Sequence, residues 1–128
     1  MKKITFWGRD ENDDHLLEQV LTGKKTVTCS VASEYYADTE EEPAVPGDVL
    51  LVTDRRGKPR CRILVEKVYE LPFGEAGEEI ARGECCSSVE EFKAAHHRSW
   101  AEELQKKGLV LDDHTILVVE HFRLISPE

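Results

Sequence analysis

Positive charge, aromatic rings and long apolar runs are all scarce in this chain, and each shortage excludes something. Its 128 residues carry 17 Lys and Arg against 26 Asp and Glu, a formal net charge of −9. Affinity for long nucleic acid is mostly phosphate neutralisation, so such an acidic body argues against a module that wraps a duplex. It leaves room for a nucleoside site or a local basic patch. No apolar run approaches the roughly 20 residues of a membrane span. After Met1-Lys2-Lys3, the stretch Ile4-Thr5-Phe6-Trp7 is too short for a signal peptide. The expectation is one cytoplasmic domain over residues 1–128, with no membrane partner. The four cysteines include no Cys-x-x-Cys, so neither a zinc knuckle nor a thioredoxin motif is supported. Cys29 and Cys61 fall inside strand patterns as small hydrophobes. The vicinal pair Cys85-Cys86 is a poor bridge in a reducing cytosol. There is no internal repeat and no glycine-rich phosphate loop.

What is present centres on residues 23–30, Gly-Lys-Lys-Thr-Val-Thr-Cys-Ser. Leu16, Leu17, Val20 and Leu21 share one helical face after an acidic start at residues 10–14, and Gly23 stops that helix. A strand then begins near Thr26. Its alternation puts Thr26, Thr28 and Ser30 on one face and Val27, Cys29 and Val31 on the other. Glu34-Tyr35-Tyr36 leads into an acidic loop over residues 38–43. Pro46-Gly47-Asp48 is a turn. Val49, Leu50, Leu51 and Val52 form a strand, and a tip rich in Arg55, Arg56 and Lys58 joins it to a second strand over residues 60–71. That tip, with Arg60 and Arg62, is the dense basic patch of the chain, read either as a charged solvent-facing hairpin or as a phosphate contact. A short helix over residues 75–82 ends at Gly83. Ser88 and Glu91 stand at capping-box spacing before a longer helix whose inner face is Val89, Phe92, His96, Trp100 and Leu104. In a last strand over residues 115–124, Glu120 interrupts the apolar face of Ile116, Val118, Phe122 and Leu124, where a carboxylate is costly unless donors or a cation meet it. Short strands at hairpin spacing and a few helices predict an α+β fold, a small mostly antiparallel barrel with two or three helices packed on it.

Lys25, Thr28 and a carboxylate in one pocket would suit acyl transfer from an amide without a metal. A threonine hydroxyl needs a neighbouring base, and a lysine serves only as an uncharged amine. Strict alternation places Lys25 and Thr28 on opposite faces, so they converge only if Lys25 belongs to the helix-to-strand turn. Otherwise Lys24 and Lys25 are helix-end charges. The histidines show no ligand spacing, which argues against structural zinc. His96 reads as a core histidine with a site role left open. Tyr35 and Trp7 could stack on a base.

In order and spacing the chain resembles the ASCH family, small domains with a PUA-like β-barrel. The resemblance rests on Phe6-Trp7-Gly8, on Gly23-Lys24-Lys25-Thr26-Val27-Thr28 with Glu34-Tyr35 after the strand, and on Pro46-Gly47-Asp48. It continues through Gly57-Lys58-Pro59 to Cys61, Pro72-Phe73, Gly83-Glu84, the helix leading to His96, and Glu120-His121-Phe122. It implies a pocket at the barrel mouth and a link to RNA or modified nucleosides. Some small members hydrolyse the acetyl amide of 4-acetylcytidine with a lysine, a threonine and a glutamate, which fall here on Lys25, Thr28 and Glu84. Others are described as metal-assisted ribonucleases or as RNA-binding. The longer members' Glu-Gly-Glu-Gly-Asp run is Arg82-Gly83-Glu84-Cys85-Cys86 here, which removes oxygen ligands a hard cation would need. Ser33 stands where an aromatic is often found. The expected site is therefore catalytic Lys25, Thr28 and Glu84, lined by Thr26, Ser30, Glu34, Tyr35, Arg55, Arg56 and Glu120, with no cofactor or metal. The alternatives are a non-catalytic RNA-binding module using the arginine hairpin, and a metal-assisted ribonuclease.

Overall fold

The computed structural model describes residues 2–6, 15–37 and 43–127. The stacking role considered for Trp7, the Gly8 turn, the acidic helix start at residues 10–14 and most of the acidic loop, residues 38–42, lie outside the described residues. The elements are β1 (Lys3–Thr5), α1 (His15–Leu21), β2 (Val27–Val31), α2 (Ala32–Ala37), β3 (Val49–Thr53), β4 (Pro59–Pro72), a 3-10 turn at Phe73–Glu75, α3 (Glu78–Gly83), α4 (Val89–Lys106) and β5 (Ile116–Pro127). They build an α+β fold, a five-stranded, mostly antiparallel, strongly curled half-barrel with helices packed against it, in strand order β1-β3-β4-β5-β2. Only the β1–β3 pairing is parallel among the described residues.

Local chemistry accounts for the elements. Gly23 takes φ 76° just past α1, a left-handed turn that costs a β-carbon-free residue little. Ser88 caps α4, its side chain accepting from the Glu91 amide at 3.0 Å, while Glu91 reaches back to the Ser87 amide at 3.3 Å. The acidic Glu90 and Glu91 in the first turn and Lys106 in the last suit the helix dipole. The β3–β4 tip turns at Asp54, where Gly57 also has a positive φ. The helix α2 is an addition to the expected pattern: residues read as a lead into a loop form one and a half turns directly after β2.

Two apolar clusters lie on opposite faces of the sheet. One joins Val27, Val31, Leu117 and Val119 to Ile80 and Ala81 of α3 and Phe92 and Leu104 of α4. The other joins Phe122, Ile63, Val65, Leu50 and Val52 to Phe6 and to Leu17 and Val20 of α1. The two rows of β2 therefore face different surroundings: Val27, Cys29 and Val31 look towards α3 and α4, and Thr28 and Ser30 lie on the row of Glu120 and Val118, directly opposite them in β5. The cysteines are all unbridged.

Candidate functional site

The chain reverses after α1 through a clasp on one carbonyl. The amides of Lys24 and Lys25 both donate to Gln19 O, at 3.0 and 2.9 Å. Lys25 thus belongs to the turn, free of the strand's alternation, which is the condition for it to reach a site shared with β2. Its ammonium is 3% exposed as a residue and donates to Val27 O at 2.8 Å and to Glu84 Oε1 at 2.9 Å. Thr26 O accepts from the Phe122 amide of β5, so the next carbonyl, Val27 O, points to the other side of β2, its outer edge. Lys25 therefore sits over the edge of the sheet, on the peptide that joins Val27 to Thr28. From there the Phe6 ring of the opposite cluster is only 5.9 Å away.

Glu84 arrives from the end of α3. Gly83 makes that approach possible: a β-carbon there would lie 2.2 Å from Val27 Cγ2 and 2.7 Å from Val27 Cβ. Gly83 O accepts from the Thr26 amide at 2.8 Å, stitching helix end to strand start. The next residue is then beside Lys25, and the ion pair is almost sealed, with side chains 2% and 7% exposed. The other oxygen, Glu84 Oε2, faces His96 Nε2 of α4 at 3.1 Å. The ring's Nδ1 lies 2.8 Å from Phe92 O and must donate to it. Burial opposes the Glu84 charge, but the His96 contact and the Lys25 ammonium outweigh it and hold the carboxyl below its ordinary value. Cys29 points to the same side. Burial and the Glu84 charge push its thiol far up, so it is no thiolate nucleophile.

A second buried carboxylate stands on the other face. Glu120 is 6% exposed, directly across the ladder from Thr28, and Lys25 is not its partner. Its contact is Tyr35 OH at 3.4 Å, and that phenol oxygen also accepts from the Ala44 amide at 3.0 Å. Burial pushes the Glu120 carboxyl above its ordinary value, only partly offset by Tyr35. Burial and the Glu120 charge raise Tyr35 in turn to about 12. The Thr28 hydroxyl makes no hydrogen bond among the described residues. Ser30 lies one step along the same row, and Thr26 stands at the strand entrance against Gly83.

The remaining expected residues are more dispersed. Glu34 of α2 is ion-paired with Lys107 beyond α4, at 2.5 and 2.7 Å. Arg56 and Arg60 converge on the Asp54 carboxylate at 3.0 and 3.6 Å. Asp54 is 3% exposed. Burial works against its charge, yet the amides of Lys58 and Arg56 and the Arg56 guanidinium hold the group below its usual range. Arg55 and Arg56 follow β3 where Thr53 pairs with Thr5, the residue before Phe6. The basic tip is thus at the same end of the sheet as Lys25. Two participants were not assigned from sequence. Asp54 stands in the sequence merely as an acidic residue before the arginine tip. His96 was placed inward by its spacing, but nothing in the sequence named Glu84 as its neighbour. No cluster of three or more His, Cys, Asp and Glu side chains is placed to hold a metal ion among the described residues.

Comparison with known proteins agrees with this architecture. No curated protein matches. An ASCH domain from Lactobacillus crispatus JV V101 superposes with a TM-score of 0.82 at 24% identity, over 98% of this chain and 79% of that one. A protein from Enterococcus faecalis V583, described under the family model DUF984, does so with a TM-score of 0.83 at 25% identity, over 99% of this chain and 78% of that one. The family model described as "ASCH domain" matches residues 2–126, and on that span the chain belongs to the ASCH domain family.

Proposed function

We propose that this ASCH protein acts on RNA-derived or modified nucleosides as a metal-independent amidohydrolase, removing the acyl group from a 4-acetylcytidine-type base. The observation that carries the reading is the sealed Lys25–Glu84 pair on the peptide leading to Thr28. An ion pair taken out of water is a poor way to gain stability, since apolar side chains of similar volume do at least as well. Perturbed, buried charges of this kind concentrate at functional sites.

In the proposed reaction the Thr28 hydroxyl adds to the acetyl carbon and its proton passes to Lys25 as an uncharged amine. Lys25 then delivers that proton to the departing exocyclic nitrogen, and water hydrolyses the acetyl-threonine ester to acetate and free hydroxyl. Glu84 orients Lys25. Glu120, with Tyr35, provides a carboxyl next to Thr28 for the polar edge of the base. Thr26 and Ser30 line the strand on either side. Arg55 and Arg56, at the same end of the sheet, supply contacts to a phosphate when the base belongs to a nucleotide or an RNA. Glu34, tied to Lys107, stands further out on the proposed surface.

The test is acetate release from 4-acetylcytidine, with and without chelator. The expected result is chelator-insensitive turnover that falls by at least about 100-fold in Lys25→Ala and in Thr28→Ala. Absence of turnover by the unmodified protein, or full activity in Lys25→Ala, would sink the reading.

A further inference from the structure

A lysine beside a carboxylate rests as an ammonium, and an ammonium has no lone pair with which to take a proton from Thr28. The site must therefore contain somewhere for one proton to go. Geometry restricts the choice. His96 Nδ1 is committed to Phe92 O at 2.8 Å, and a carbonyl can only accept, so the ring carries a proton on Nδ1. Its Nε2 is left facing Glu84 Oε2 at 3.1 Å. Two bare lone pairs face each other there, an unfilled position that one further proton would complete. Glu84 Oε2 is fully buried and has no hydrogen-bond partner among the described residues.

The ring packs between two aromatic neighbours. It lies tilted against Phe92, with centroids 4.2 Å apart, and meets Trp100 edge-on at 4.6 Å. Other titratable groups that share the Glu84 field are the Cys29 thiol of β2 and the Cys86 thiol after α3. Burial, reinforced by the Glu84 charge, raises both, so both stay protonated and take nothing up. Lys25 approaches from the turn before β2, on the opposite oxygen of the same carboxylate.

We propose that His96 is the proton store that makes Lys25 an uncharged amine, acting through the two oxygens of Glu84. The inference rests on the amidohydrolase reading for its purpose but not for its geometry. The proton leaves Lys25 Nζ for the Glu84 carboxylate, the carboxyl so formed turns, and the same proton passes on to His96 Nε2, leaving Glu84 a carboxylate again. Charge balances: an ammonium, a carboxylate and a neutral imidazole become an amine, a carboxylate and an imidazolium. His96 never touches substrate and is a positioning residue.

Two measurements on the full chain test it. Histidine-96→glutamine (His96→Gln) places an amide nitrogen at the Nε2 position and keeps a bond to Glu84, but accepts no proton. The expected effect is a fall in kcat of about 100-fold with KM changed by less than about twofold, and an acid limb of the pH–rate profile displaced to higher pH. Unchanged kcat with an unchanged profile would overturn the proposal. Nitrogen-15 NMR of the ring, without substrate, gives the second readout. A proton on Nδ1 throughout the titration is expected, with an Nε2 titration that moves to lower pH in Glu84→Gln. A ring lacking the Nδ1 proton, or one that titrates identically in Glu84→Gln, would overturn the store even if turnover is found. If the unmodified protein turns over no acetylated nucleoside while the ring behaves as expected, the function fails and the proton store stands.

Discussion

The carboxyls of Glu84 and Glu120 are both largely buried, on opposite sides of the β2–β5 pair, and they shift in opposite directions. Glu84 has an ammonium on one oxygen and an imidazole on the other. Glu120 has a phenol at 3.4 Å and a threonine across the ladder. Depth alone would push both up; the partners decide the outcome. The difference divides the tasks available to the two groups. Glu84 is held as an anion between two nitrogens. Glu120 is held ready to be a neutral acid, able to donate as well as accept.

The largest expected break in this comparison comes from Lys25→Met. It leaves Glu84 with His96 alone, and urea unfolding at pH 7 should show a loss of about 3 kcal/mol, much of it recovered in Lys25→Met/Glu84→Met, since an apolar pair replaces a buried ion pair cheaply. Equal losses in the single and double variants would mean that the pair is not what stabilises the turn. Gly83→Ala comes next. It forces α3 off Val27 and is expected to cost about 2 kcal/mol while moving Glu84 relative to Lys25 and leaving Glu120 in place. An unfolding midpoint matching the unmodified protein would contradict the close approach. The smallest effect has the opposite sign. Because the folded state raises Glu120 above the 4.5 of a free side chain, it binds a proton that the unfolded chain has already released. That group's contribution therefore falls as pH rises past 4.5 towards the folded value and stays low above it. Glu120→Gln should raise stability by about 1 kcal/mol at pH 7 and by nothing near about pH 3.5. For Glu84 the sign reverses: its lowered carboxyl stabilises above 4.5, and that share is lost as pH falls through the folded value. A Glu120→Gln gain that is the same at both pH values would show that charge is not its cause.

Much of this arrangement is legible in the chain because it is local. Gly23 as a helix stop, the alternating row from Thr26 to Val31, the Ser88 cap and the arginine-rich tip each depend on a few neighbouring residues, and each is found where spacing puts it. Glu120 on an apolar face was visible for the same reason. What was not legible depends on contacts between distant residues. Lys25 and Glu84 stand 59 positions apart, and only family resemblance linked them in the sequence. Spacing turned His96 inward but could not say that a carboxylate waited there. Nor does spacing say which carboxylate, Glu84 or Glu120, Lys25 would meet; the turn aims the ammonium at Glu84. Residues 32–37 gave no helical signal because a helix this short presents too few positions to show a period, and none of its residues is fully buried.

The position of the Lys25 ammonium on Val27 O has one more consequence. β2 ends the sheet, and its outward carbonyls are what another extended chain would need in order to add itself as a sixth strand. A cation seated on that rim blocks the template at its first residue. A variant lacking that side chain is therefore expected to form more filaments or aggregates than the unmodified protein, an outcome that light scattering would read beside turnover.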